Sequence, residues 1–65
     1  MQPHQQRVVD EKNELQSKIN ALSGFIDRND LFKSLPWDEK VRMLMQLRAM
    51  KEYADILKQR IEAFS

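Results

Sequence analysis

Asn29-Asp30-Leu31-Phe32-Lys33-Ser34-Leu35-Pro36-Trp37-Asp38-Glu39 decides the fold of this chain. Long helical patterns run into this stretch and out of it. Asn29 and Asp30 carry turn chemistry, because their short side chains bond nearby backbone. Ser34 is a candidate cap. Pro36 suits the first position of a helix, where its missing N–H costs nothing. Asp38 and Glu39 then fall in the first turn, where the helix dipole favours acids. Leu31, Phe32, Leu35 and Trp37 are too apolar for a solvated loop, and they are expected to plug the end of a two-helix hairpin.

Upstream of the corner, Val8, Leu15, Ile19, Leu22 and Ile26 recur in steps of three and four once Lys12 is counted in the vacant seam position. This is a heptad-like stripe on one helical face. Pro3 is placed at the first helical residue, with Gln2 before it as cap. Arg7 with Glu11 and Glu14 with Lys18 have the spacing of helix-surface ion pairs, as does Asp38 with Arg42 further on. Gly24 is the single glycine. It lies inside the pattern, where glycine costs about 1 kcal/mol relative to alanine. Downstream, Met43, Leu47, Met50, Ala54, Leu57, Ile61 and Phe64 repeat the stripe. Nothing alternates as a strand does.

The predicted fold is therefore all-α: one domain spanning 1–65, with a helix over about 3–28, a corner at 29–35 and a helix over about 36–63. Folded antiparallel, the stripes register: Ile26 meets Met43, Leu22 meets Leu47, Ile19 meets Met50, Leu15 meets Ala54 and Val8 meets Ile61. Apolar residues remain outside this seam, namely Trp37, Val41, Leu44, Met45, Tyr53 and Ile56 on the second helix and Val9 and Phe25 on the first. A helix apolar on two sides needs two neighbours. A chain of this length is also marginal alone and has no cysteine to staple it. The expectation is a homo-oligomeric helical bundle built through Trp37, Val41, Leu44, Met45 and Ile56.

Charge and composition exclude more than they propose. Eleven basic and ten acidic residues give a net charge of +1, spread evenly over both halves. Nothing here marks a nucleic-acid polymer or a membrane surface as partner. The absence of a signal pattern or a long apolar run points to a soluble cytoplasmic protein. One histidine, His4, has no placed catalytic or metal-binding companion. A single glycine makes no phosphate loop, and no cofactor is implied. The methionines at helical spacing read as core or oligomer contact, with a Met-rich peptide groove as the sharper alternative. Trp37 reads as a hairpin plug or, alternatively, as a stacking group.

Basic residues are the remaining ligand-type feature. The hairpin brings Arg7 and Arg60 to its open end, with His4, Gln5, Gln6, Lys58 and Phe64. Arginine forks onto phosphate, and an aromatic ring stacks on a base. Arg28, Lys33 and Arg42 form a looser group at the closed end. A solvated charged surface is the more economical reading of either group.

The string Pro3-His4-Gln5-Gln6-Arg7-Val8-Val9, with Asp10-Glu11-Lys12, Glu14-Leu15 and Phe25-Ile26, resembles the opening of a family of very small phage and prophage proteins related to a crAss-like phage protein. Phe32, Leu35-Pro36, Asp38-Glu39, Leu44, Gln46, Met50, Tyr53, Leu57, Arg60-Ile61 and Phe64 extend the resemblance over nearly the whole chain. Trp37 and the Met43–Met45 segment depart from it, since polar residues are expected there.

The resemblance implies a non-catalytic phage accessory protein in the cytoplasm of the infected bacterium. In size and hairpin form the chain is also similar to phage sponges, homo-oligomers that hold cyclic dinucleotides or cyclic ADP-ribose relatives at subunit junctions. That similarity implies a nucleotide signal as ligand. Arg7 and Arg60 would hold phosphate, His4 or Gln5 would read base or ribose, and Tyr53 or Phe64 would stack. The alternative is an interaction module that docks its apolar helix face on a host protein.

Overall fold

A computed structural model describes residues 1–64. Three helices follow one another: α1 (Pro3–Arg28), the single turn α2 (Asp30–Ser34) and α3 (Trp37–Glu62). Twenty-six residues make a helix of about 39 Å, and α1 and α3 each have that length. The molecule measures 47 × 15 × 13 Å, so the two long helices lie side by side, antiparallel around the corner. The described residues contain no strand.

Each helix end has a local cause. Gln2 precedes Pro3 as N-cap, and its backbone N–H donates to Gln5 Oε1 at 3.0 Å. At the other end Asn29 is extended, which stops α1, and its N–H donates to the Phe25 carbonyl at 3.1 Å. The same residue starts α2, because Asn29 Oδ1 accepts the Leu31 N–H at 2.9 Å. Leu35 is then extended, as a residue before proline must be to avoid its ring.

The corner differs from its expected form in three ways. It contains a helical turn. Ser34 ends that turn instead of capping the next helix, and its hydroxyl donates to the Leu31 carbonyl at 2.8 Å. Pro36 is the N-cap of α3, with ψ of 147°, and Trp37 is the first helical residue. Proline's fixed φ suits both positions; only ψ separates them, and ψ is not written in the sequence.

The seam holds one core. Val8, Leu15 and Ile19 of α1 are buried with Ala54 and Leu57 of α3, and Leu47, Met50, Ile61 and Phe64 pack against them. Lys12 is half-buried, as its place in the seam requires. At the corner, Phe25 meets Phe32 edge to face, with ring centroids 6.3 Å apart, and Lys40 Nζ lies 5.8 Å from the Phe32 ring centroid. The expected plug is thus only partly right. Phe32 and Leu35 are half-buried, but Leu31 is 65% exposed and Trp37 is 78% exposed. Hydrophobicity put all four at the hairpin end; the phase of α2 and α3 turns two of them outward.

Asp38 and Glu39 both hold Arg42, at 3.4 and 2.9 Å. The spacing-based pairs Arg7–Glu11 and Glu14–Lys18 are not among the ion pairs of the described residues. Exposed pairs of this kind are worth a few tenths of a kcal/mol, which does not pin two long side chains.

Candidate functional site

The open end joins the first turns of α1 to the last turns of α3. His4, Arg7 and Arg60 are exposed there, while Gln5 and Phe64 are half-buried. Gln5 has given its Oε1 to the cap of α1, which leaves its amide N–H groups for a ligand. Phe64 packs on the core, so only part of its ring faces out. Tyr53 is exposed and lies seven residues before Arg60 on the same face of α3, about 10 Å back along the axis. The fold therefore gathers His4, Gln5, Arg7, Arg60 and Phe64 at one end and sets Tyr53 two turns away, beside Ile56.

Ion pairing sorts the cations. Lys33 pairs with Asp30 at 3.7 Å, Arg42 with Asp38 and Glu39, and Arg48 with Glu52 at 3.4 Å. Arg7, Arg28 and Arg60 take part in none of the ion pairs among the described residues. Of the looser cationic group at the closed end, Lys33 and Arg42 thus have exposed acidic neighbours one turn away, and Arg28 is in none of these pairs.

A concave surface lies at that closed end. Ala21, Gly24, Phe25 and Arg28 form one face of α1, and Asn29, Asp30 and Leu31 close it. Sequence reading missed this groove. Its one local signal was Gly24, a glycine inside a helix. The wall made by α2 is set by the corner, and no spacing rule gives it.

A third region is the outer face of α3. Trp37, Leu44, Met45 and Ile56 are exposed along it, and Val41 is half-buried beside them. No helix among the described residues is long and apolar enough to cross a membrane.

The chain is similar to known proteins along nearly all of its length. The Sequestin family matches residues 2–63. An uncharacterized 7.5 kDa protein from the denB-rIIB intergenic region of Enterobacteria phage T4 is 39% identical over 64 residues, 98% of either chain. No solved structure matches. The expected likeness to small phage proteins stands, and the crAss-like attribution is replaced by Sequestin.

Proposed function

Because the chain belongs to the Sequestin family, we propose that it is a non-catalytic phage protein that sequesters a small signal molecule. The match over residues 2–63 carries this reading, through what the family's name says of its members. The signal is a nucleotide of the bacterial anti-phage response, either a cyclic ADP-ribose relative or a cyclic oligonucleotide, held in the cytoplasm of the infected host. Arg7 and Arg60 bind phosphate by charge-assisted hydrogen bonds. Their guanidinium groups are outside the ion pairs of the described residues, which supports that role. His4 and the Gln5 amide N–H groups meet base or ribose, and Tyr53 and the open part of Phe64 give stacking surface.

The working form is a homo-oligomer. The accessible surface is 5109 Å², against about 4400 Å² for a compact monomer of this mass. The radius of gyration is 14.8 Å, against about 11 Å for a compact chain of this length. Trp37, Val41, Leu44, Met45 and Ile56 are the apolar residues a second copy would cover. Tyr53 borders that face, so a subunit junction there brings it near Arg60 pockets.

A second reading is an inhibitor that docks the same α3 face on a host protein. Trp37 at 78% exposure and Met45 at 63% favour it. One experiment separates the two. The pure protein is incubated with a panel of cyclic nucleotides, repurified and heated, and the supernatant is chromatographed beside a lysate pull-down. Recovery of one intact nucleotide in stoichiometric amount is expected. A stoichiometric host protein with no nucleotide released overturns sequestration in favour of docking.

A further inference from the structure

Gly24 is costly to helix α1, because glycine loses more conformational freedom on ordering than alanine does. The usual reasons to keep it are missing. No glycine here has positive φ. A Cβ built on Gly24 meets nothing within 4 Å. Neither the backbone nor the packing of this chain asks for glycine at this position. Close approach of an outside group to the helix backbone does.

Gly24 is the floor of the corner groove. Ala21, Gly24, Phe25 and Arg28 follow one another at helical spacing on the side of α1 turned away from the seam. The two smallest side chains make a flat floor. Phe25 and Leu31 supply apolar flanks, the first half-buried and the second 65% exposed. Arg28 stands one turn beyond Gly24, about 6 Å along the axis, roughly the separation of phosphate and base in a nucleotide. Its guanidinium is outside the ion pairs of the described residues. Asn29 has given its Oδ1 to the α2 cap, so its amide N–H groups remain as donors. The rim carboxylate, Asp30, is balanced by Lys33 at 3.7 Å. Asp27, Arg28, Asp30 and Lys33 together sum to zero charge, and Arg28 is the cation that lines the flat, partly apolar floor.

We propose that this groove is a second ligand site, separate from the Arg7 and Arg60 end, that takes a flat, phosphate-bearing heterocycle of the nucleotide class. The heterocycle lies over Ala21 and Gly24 against Phe25 and Leu31, and the phosphate meets Arg28. The location stands on the groove itself; the ligand class rests on the sequestration reading.

The test is a titration of the isotope-labelled full chain with AMP, followed by amide NMR, with inorganic phosphate in parallel. AMP should shift the amides of Ala21, Gly24, Arg28 and Leu31. Arg28→Gln should weaken that response about tenfold or more, Gly24→Leu should abolish it, and Arg7→Ala should leave it intact. Gly24→Ala keeps the fold and should raise the thermal midpoint while lowering AMP affinity. The proposal is overturned by unmoved corner amides, by unchanged affinity in Gly24→Ala, or by inorganic phosphate reproducing the AMP shifts at equal concentration. It is also overturned if Gly24→Leu changes the assembly mass without ligand, since another copy then fills the groove. Equal heat-released nucleotide from Gly24→Leu and the unmutated chain, with corner shifts lost from neither, removes the groove and leaves sequestration standing. Corner shifts with AMP but no nucleotide captured from the panel do the reverse.

Discussion

The two apolar sides of α3 have different fates. Ala54 and Leu57 are buried against α1, Leu57 to 1% exposure, with Leu47, Met50 and Ile61 around them. Leu44, Met45 and Ile56 are as apolar, yet they stand open on the same helix. The difference is one of phase. A second helix can cover one stripe of a cylinder, and α1 covers the stripe that repeats every three and four residues from Met43 to Phe64. What lies outside that phase is not covered by α1. Burial by the hairpin is therefore a property of one side of α3, and the other side stays exposed.

Cutting the buried side should have the largest effect. Leu57→Ala removes a fully buried side chain from a small core, for an expected loss of about 2–5 kcal/mol. Urea unfolding followed by circular dichroism should show the helices melting at much lower denaturant. An unchanged midpoint would mean that the seam is not what holds the hairpin.

The outer side should respond oppositely. Leu44→Glu leaves the hairpin's own core untouched, so helicity should persist while assembly weakens, because a charge must then be buried or left unpaired at the contact. Light scattering at tens of micromolar should show lower mass for the variant. A monomeric unmutated protein at that concentration, or equal masses for both, breaks the contrast between the two faces.

Next come the cations outside the hairpin's ion pairs. Arg7→Ala and Arg60→Ala should each cost about 1.5–3 kcal/mol of ligand affinity, roughly tenfold to over a hundredfold. Arg48→Ala should change little, since Arg48 lies twelve residues before Arg60 on α3, about 18 Å from the open-end arginine along the axis. Calorimetric titration on variants of intact assembly decides. Lost binding in Arg48→Ala alone would place the pocket elsewhere.

The smallest expected effect is a gain. Gly24→Ala fills open space on a regular helix, and should stabilise the hairpin by up to about 1 kcal/mol. Thermal melts read it directly; a loss of stability would mean that Gly24 is tightly packed in the assembled protein.

Much of this was legible in the sequence because the seam is periodic. Val8, Leu15, Ile19, Ala54 and Leu57 announce themselves by spacing, and Asn29 by its turn chemistry. Trp37 and Leu31 did not, because hydrophobicity reports that a side chain seeks burial and not which way its helix turn aims it. Ser34 and Pro36 slipped because one helical turn, α2, fits between Asn29 and Leu35. The open-end residues were placed by antiparallel topology, which the sequence carries. The corner groove was out of reach, since its far side depends on the backbone angles at Asn29, where the chain leaves α1, and no spacing rule gives those.

The proposed function joins the two faces: α1 and α3 make the hairpin, and the outer side of α3 would make the assembly that holds a nucleotide. Sedimentation velocity of the protein with its captured cyclic nucleotide, recorded at protein and nucleotide wavelengths, tests both parts at once. The nucleotide should travel with a species of several chains and be recovered chemically unchanged. A nucleotide left at the meniscus while the protein sediments as a single chain would contradict it.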